Sequence, residues 1–155
     1  MKTGKEIKIN KFKNYNVIFG SVNNKTSKAV YINISTWAEP LNETTVNYTR
    51  IIKDLNKKIK QCIYNHLSYT KNNFIKNNTI VDFDIRESGI RFGKRSFINC
   101  EITLYLNKEI SISSDTMKLE LTEITNLLIN NVYENNSTFK FYNKKNNITQ
   151  KKSSI

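Results

Sequence analysis

Apolar side chains alternate with polar ones in several stretches of the chain, the two-residue period of strands half covered by a core. Glu6–Lys11 puts Ile7 and Ile9 on one face. Asn14–Val22 is rich in β-branched and aromatic residues, and Asn23–Thr26 after it reads as a turn. Lys28–Ala38 sets Val30, Ile32 and Ile34 against Tyr31, Asn33, Ser35 and Trp37, with Pro40 closing the run because it has no N–H for a ladder. Thr79–Arg86 directs Val81, Phe83 and Ile85 inward and Asp82 and Asp84 outward. Ser96–Leu106 is the clearest strand, with Ile98, Cys100, Ile102, Leu104 and Leu106 on one face. Thr138–Tyr142 fits one more short strand.

Two stretches change period to three and four, as amphipathic helices do. The first runs from about Glu43 to about Ser68, capped by Asn42 or Thr44, with Ile51, Ile52, Leu55, Ile59, Cys62, Ile63 and His66 on its apolar side. Tyr69–Asn78 then reads as a polar loop. The second helix opens at Ser114 or Asp115 and reaches about Tyr133, with Met117, Leu121, Ile124, Leu128 and Val132 as its stripe. Strands, helix, strands, helix is the order of an α+β fold with antiparallel pairing and helices on one face. The same order is compatible with a duplicated strands-then-helix unit, the plan of Whirly- and Pur-type single-strand binders, and with an OB-like arrangement of the first five strands. One domain over residues 1–142 and a basic flexible tail over 143–155 are expected.

Composition narrows the function classes. With 155 residues and 38% apolar side chains the chain can bury a core. No run of 18 apolar residues exists, so no membrane-spanning helix is expected, and the first residues lack the apolar stretch of a secretory signal. One histidine and two cysteines exclude a Ser-His-Asp centre away from His66, a two-histidine metal site and a cysteine-only zinc site. His66 reads as a histidine at the edge of the core, and Cys62 and Cys100 as reduced, buried small hydrophobes. A non-enzymatic protein is expected, with no cofactor, no metal and no catalytic residue.

The formal charge of +12 points to an anionic partner, but it needs discounting. Asn, Lys and Ile make up 66 of the 155 residues, and these are the residues an AT-rich genome writes by default. The distribution is more telling than the sum. Residues 1–60 hold 12 basic and 4 acidic groups, whereas residues 101–134 hold 2 and 6. Drift acts evenly along a chain, so a polarised surface follows. A merely patchy surface is the plain alternative.

Four clusters carry candidate chemistry. Arg86-Glu-Ser-Gly-Ile-Arg-Phe-Gly-Lys-Arg95 holds three of the four arginines and two of the four glycines of a lysine-preferring chain. Arg86, Arg91, Lys94 and Arg95 suit phosphates, the planar guanidinium forks above all, and Phe92 suits a stacked base. A charged hairpin tip with turn glycines is the bland reading. Tyr31 and Trp37, with Phe97 and Tyr105 on the matching face of the later strand, are rings for base stacking if that face is open, and core if helices or a partner cover it. Arg50, Lys53, Lys57 and Lys60 share one side of the first helix, where they track phosphates or are simply solvated. Asp82, Asp84 and Glu101 form only a loose likeness to a Mg²⁺ nuclease site and are read as solvent-facing strand positions.

The segments Asn14–Ser21, Val30–Trp37 and Arg86–Phe97 resemble small proteins of AT-rich tailed phages, crAss-like phages in particular. The resemblance covers about residues 14–106 and implies a phage protein in the host bacterial cytoplasm or in the virion. No binding motif comes with it. The expected function is nucleic-acid binding, single-stranded DNA before duplex, in phage replication or recombination. The alternative is a virion structural protein, a head–tail connector or packaged component. Either role leaves room for a homo-oligomer or for virion subunits as partners. The lysine-rich end, Lys151–Ile155, departs from the acidic tail of many single-strand binders.

Overall fold

The computed structural model describes residues 5–22, 26–41, 48–72 and 80–143. Its strands are β1 (Glu6–Ile9), β2 (Asn16–Ser21), β3 (Thr26–Pro40), β4 (Ile80–Phe92), β5 (Arg95–Ser111) and β6 (Phe139–Tyr142). Its helices are α1 (Tyr48–Asn72) and α2 (Asp115–Leu128), the latter continued by a π-helical turn over Ile129–Tyr133. All six strands join one antiparallel sheet in the order β1-β2-β3-β5-β4, with β6 also on β3. The fold is therefore α+β, strands-helix-strands-helix, as the pattern predicts. The two strands-then-helix segments share this sheet through the β3–β5 pair, and among the described residues β1 and β4 end the strand order, so the described strands form an open sheet and not a closed OB-like barrel.

Alternation sorts each strand's residues between two faces. On the covered face, Ile32 lies opposite Ile102, Ile34 opposite Cys100 and Val30 opposite Leu104. Val17 and Phe19 of β2 and Ile85 of β4 extend the same layer. Both helices pack here. Leu55, Ile59 and Ile63 of α1 and Met117, Leu121, Ile124 and Leu128 of α2 are buried in one continuous core with the strands. Ser114 caps α2, its side chain accepting the Met117 N–H at 3.2 Å. The caps expected for the first helix, the centre of the turn after β2 and residues 144–155 of the tail lie outside the described residues.

A second, aromatic part of the core joins Tyr15 to the segment from Tyr133 to Tyr142. The Tyr133 ring meets Tyr15 and Phe141 edge-on, with centroids 5.5 and 5.3 Å apart. Thr36 Oγ1 lies 2.9 Å from the Asn14 carbonyl and 3.2 Å from that of Tyr142, tying β6 and the approach to β2 to the same point of β3.

Several boundaries move, each for a local reason. Pro40 ends β3 and does not merely follow it. It lies beyond Ala38, the last β3 residue paired with β5, so its missing N–H interrupts no bond of that ladder. α1 continues through Asn72, four residues past the expected helix end, on polar residues that helices tolerate when packing elsewhere holds them. The Arg-rich segment is mostly strand, not a connection: β4 reaches Phe92, and only Gly93 and Lys94 turn the chain into β5. Gly93 has φ +62° and no other described residue has a positive φ, the arrangement of a two-residue hairpin with glycine first. At the other end of β4 the register shifts between Ile80 and Asp82. That bulge turns Val81, expected in the core, out to solvent at 61% exposure.

Candidate nucleic-acid interface

The other face of the sheet has no described element over it. Its polar positions run in rows across the strands: Asn33 opposite Glu101, Ser35 opposite Asn99, Tyr31 opposite Thr103. At the hairpin end the pattern breaks. Trp37 of β3 sits opposite Phe97 of β5, and Phe97 opposite Ile90 of β4. One residue short of the turn, Phe92 sits opposite Arg95. The strand ladder thus brings three rings, an isoleucine and a guanidinium to one corner.

Trp37 and Phe97 meet with ring centroids 5.3 Å apart and planes inclined at 60°. Phe92 approaches Trp37 from the hairpin at 5.6 Å and 44°. With Ile90 and Arg95 they line a groove of about 600 Å³. Phe92 and Ile90 stay 55% and 58% exposed, a large apolar exposure on a face that is mostly polar. Arg95 lies close enough to Tyr142 that its charge partly offsets the rise that burial gives the phenol pKa. Lys94 is exposed at the tip, and Arg91 Nε donates to the Gly93 carbonyl at 3.1 Å, across the turn. Arg86 is farther along β4, with Nε 4.0 Å from Asp84 Oδ2.

The remaining candidates lie elsewhere. Tyr31 is only 2% exposed: its ring packs over Gly20, where a side chain would collide with it, and its hydroxyl donates to Glu6 Oε2 at 2.5 Å. Burial and that carboxylate push its pKa up, and it presents no ring face to a base. Tyr105 is exposed but sits at the far end of β5, opposite Asp82. Arg50, Lys53, Lys57 and Lys60 are exposed on α1, in the helical layer on the opposite side of the sheet, so no single ligand surface joins them to the hairpin arginines. Asp82 Oδ1 accepts the Phe83 N–H at 2.8 Å, and no three His, Cys, Asp or Glu side chains converge on a cation position among the described residues. His66 is buried between the helices with Nε2 3.4 Å from Glu120 Oε1. Cys100 is fully buried, whereas Cys62 is half-buried at a second concavity of about 700 Å³ between α1 and α2.

Two residues escape sequence reasoning. Ile90 looks like part of a loop until β4 is seen to continue, and only then does its parity place it beside Phe97. Glu87 is the larger surprise. It follows Phe83 and Ile85 on the covered face, and both its carboxyl oxygens are buried without a hydrogen-bond partner. Burial raises its pKa from 4.5 to about 7. Its negative charge in turn adds to the burial that lifts the Tyr48 hydroxyl and the Cys100 thiol. The period-two spacing Phe83, Ile85, Glu87 was the available signal.

No family model, curated protein or solved structure matches the chain. No helix among the described residues is long and apolar enough to cross a membrane.

Proposed function

We propose that the protein is a non-enzymatic binder of single-stranded nucleic acid, DNA in the first instance, acting through the hairpin corner of its open sheet face. One observation carries the reading: a partly exposed three-ring groove flanked by Arg95 and Lys94 on a face that no described element covers. Rings take bases of any sequence by stacking, and the cations neutralise phosphates, which is sequence-tolerant recognition. Arg86, on the same face of β4 as Ile90 and Phe92, extends the cationic strip, whereas Arg91 has the opposite parity and reaches the corner only around the turn. A role in phage replication or recombination, in the host cytoplasm, agrees with this chemistry.

The second reading, a virion structural protein, is favoured by the rest of the same face. Glu6, Glu39, Asp82, Asp84 and Glu101 dot it with carboxylates that repel a long phosphate track. The nucleic-acid reading therefore confines the ligand to a few nucleotides at the hairpin.

Trp37 is the only tryptophan, so its emission reports on this groove alone. Titrating single- and double-stranded oligonucleotides at increasing salt should show tighter single-strand binding, a steep fall of log K with log salt, and a changed Trp37 signal. Absence of binding at low salt, or binding that leaves Trp37 emission untouched, overturns the proposal.

A further inference from the structure

The β1 and β4 ends of the strand order are built differently. β1 is four residues long and carries Lys8, the short, lysine-bearing form that blunts an edge against pairing. β4 is thirteen residues long, Ile80–Phe92, with neither lysine nor proline, and its bulge is confined to the start of its pairing at Ile80/Asp82. From Asp84 onward every residue of β4 except Ile85 and Glu87 is exposed. A long edge, regular beyond Asp82, is a template for another strand.

Its charge order states what that strand is. Asp82 and Asp84 occupy the first half of β4, and Arg86 and Arg91 the second. An antiparallel copy of the same strand sets the acidic half of each against the basic half of the other. We propose that the chain forms a two-fold dimer by pairing β4 with β4 of a second copy, with Ile85 opposite Ile85 on the axis. In this register Asp84 faces Arg86 of the second copy, and Arg86 faces its Asp84, both on the open face. Moving the axis one residue along β4 opposes Arg86 to Arg86, and one residue back opposes Asp84 to Asp84, each a like-charge pair at the axis.

The backbone supports the same register. Phe92 and Arg95 flank the two-residue turn, so Phe92 exchanges its hydrogen bonds with β5, and so does every second residue before it. Ile85, Glu87 and Gly89 then turn their N–H and C=O groups to the outer side of β4, where no described strand pairs. The Phe83 N–H, one of this set, donates to the exposed Asp82 Oδ1 at 2.8 Å, a local bond that the second copy replaces. Pairing Ile85 with itself therefore makes two reciprocal bonds on the axis, with Glu87 bonding to Phe83 of the second copy on either side. The Asp84–Arg86 pair within one chain is 4.0 Å apart, with side chains 56% and 83% exposed, and yields readily to the intermolecular pairs. The product is one continuous twelve-stranded sheet with its two open faces on the same side, an isologous interface of the kind cyclic dimers use.

The test uses the full chain. Sedimentation velocity over a range of concentrations at low salt should show a monomer–dimer equilibrium that high salt weakens. Arg86→Asp, which sets two carboxylates against each other on each side of the axis, should raise the dimer dissociation constant roughly tenfold or more. Asp84→Arg should do the same with two guanidinium groups. Combining the two substitutions exchanges the charges and should restore the native value. Hydrogen exchange on the unmodified protein should show the Ile85 and Glu87 amides protected at high concentration and open on dilution. A monomer at every concentration overturns the proposal. A dimer indifferent to both single substitutions, or one that leaves those two amides exchanging freely, overturns it equally.

Discussion

The two faces of the sheet obey one rule and break it in opposite ways. On the covered face Ile32, Ile34, Ile98, Cys100, Ile102 and Leu104 are all at or below 1% exposure, and the exception is a carboxylate, Glu87. On the open face the residues between them are mostly polar, and the exception is apolar: Trp37, Phe97, Ile90 and Phe92 at the hairpin corner. Residues that follow the alternation explain stability. A buried carboxylate without a partner and exposed rings with one another for company are not explained by stability, since each costs free energy in its place. The exceptions are where a functional account has to begin, and the open-face exception is the one with room for a ligand.

The largest expected effect tests the contrast itself. Ile102→Ala, in the middle of the covered face, should cost about 2–5 kcal/mol in chemical denaturation, while Thr103→Ala, its neighbour on the open face, should cost less than about 1 kcal/mol. Comparable destabilisation at both positions would mean that something covers the open face too.

Glu87 gives the next largest effect, and its sign follows from its environment. A carboxyl whose pKa rises from 4.5 to about 7 on folding holds its proton more tightly in the native state. Native stability is therefore fullest below about pH 4.5 and falls as pH climbs through about 7. The shift corresponds to roughly 3 kcal/mol. Glu87→Gln removes the ionisation, so the variant should be more stable than the native protein by an amount of that order above pH 8, and similar to it at pH 4. Denaturation curves at the two pH values decide this, and a variant equally or less stable at the high pH would place the carboxylate beside water or a cation.

Phe92→Ala sharpens the open-face exception. Single-strand affinity should fall by roughly 1–3 kcal/mol if the ring stacks on a base. The change in melting temperature should be small beside that of Ile102→Ala, because the ring is more than half exposed. A large drop in melting temperature with unchanged affinity would assign Phe92 to packing on Trp37 alone, and would favour the virion reading.

The smallest effects separate the two basic surfaces. Gln at Arg91, Lys94 and Arg95 together should shrink the salt slope by about 0.7 for each phosphate of the single strand that is no longer neutralised. Gln at Lys53, Lys57 and Lys60 of α1 should change neither the slope nor, beyond about 0.5 kcal/mol, the stability. Equal slopes after both triple replacements would move the binding surface to the helical layer.

Much of this architecture was legible along the chain. Period two in Val30–Ile34 and Ile98–Leu106, and the three-four spacing from Leu55 to Ile63 and from Met117 to Leu128, reflect burial on one side of a regular element, which local order alone encodes. The Ser114 cap was legible because a side chain bonding three residues on is a local event. Less was legible where neighbours in space decide. Arg86–Phe92 has the glycine and charge content of a connection, yet it is strand because β5 lies alongside with its hydrogen-bonding groups to satisfy. The same pairing turned Glu87 inward, since a strand cannot choose which face its odd residues take. Tyr31 and Trp37 share one face and one residue class in the sequence. Only the sheet placed Tyr31 over Gly20 and beneath solvent's reach, and Trp37 beside Phe97 and Phe92 in an open groove. Periodicity tells which side of a strand a residue occupies, but what stands across from it depends on register between distant segments, and that is decided only when the strands meet.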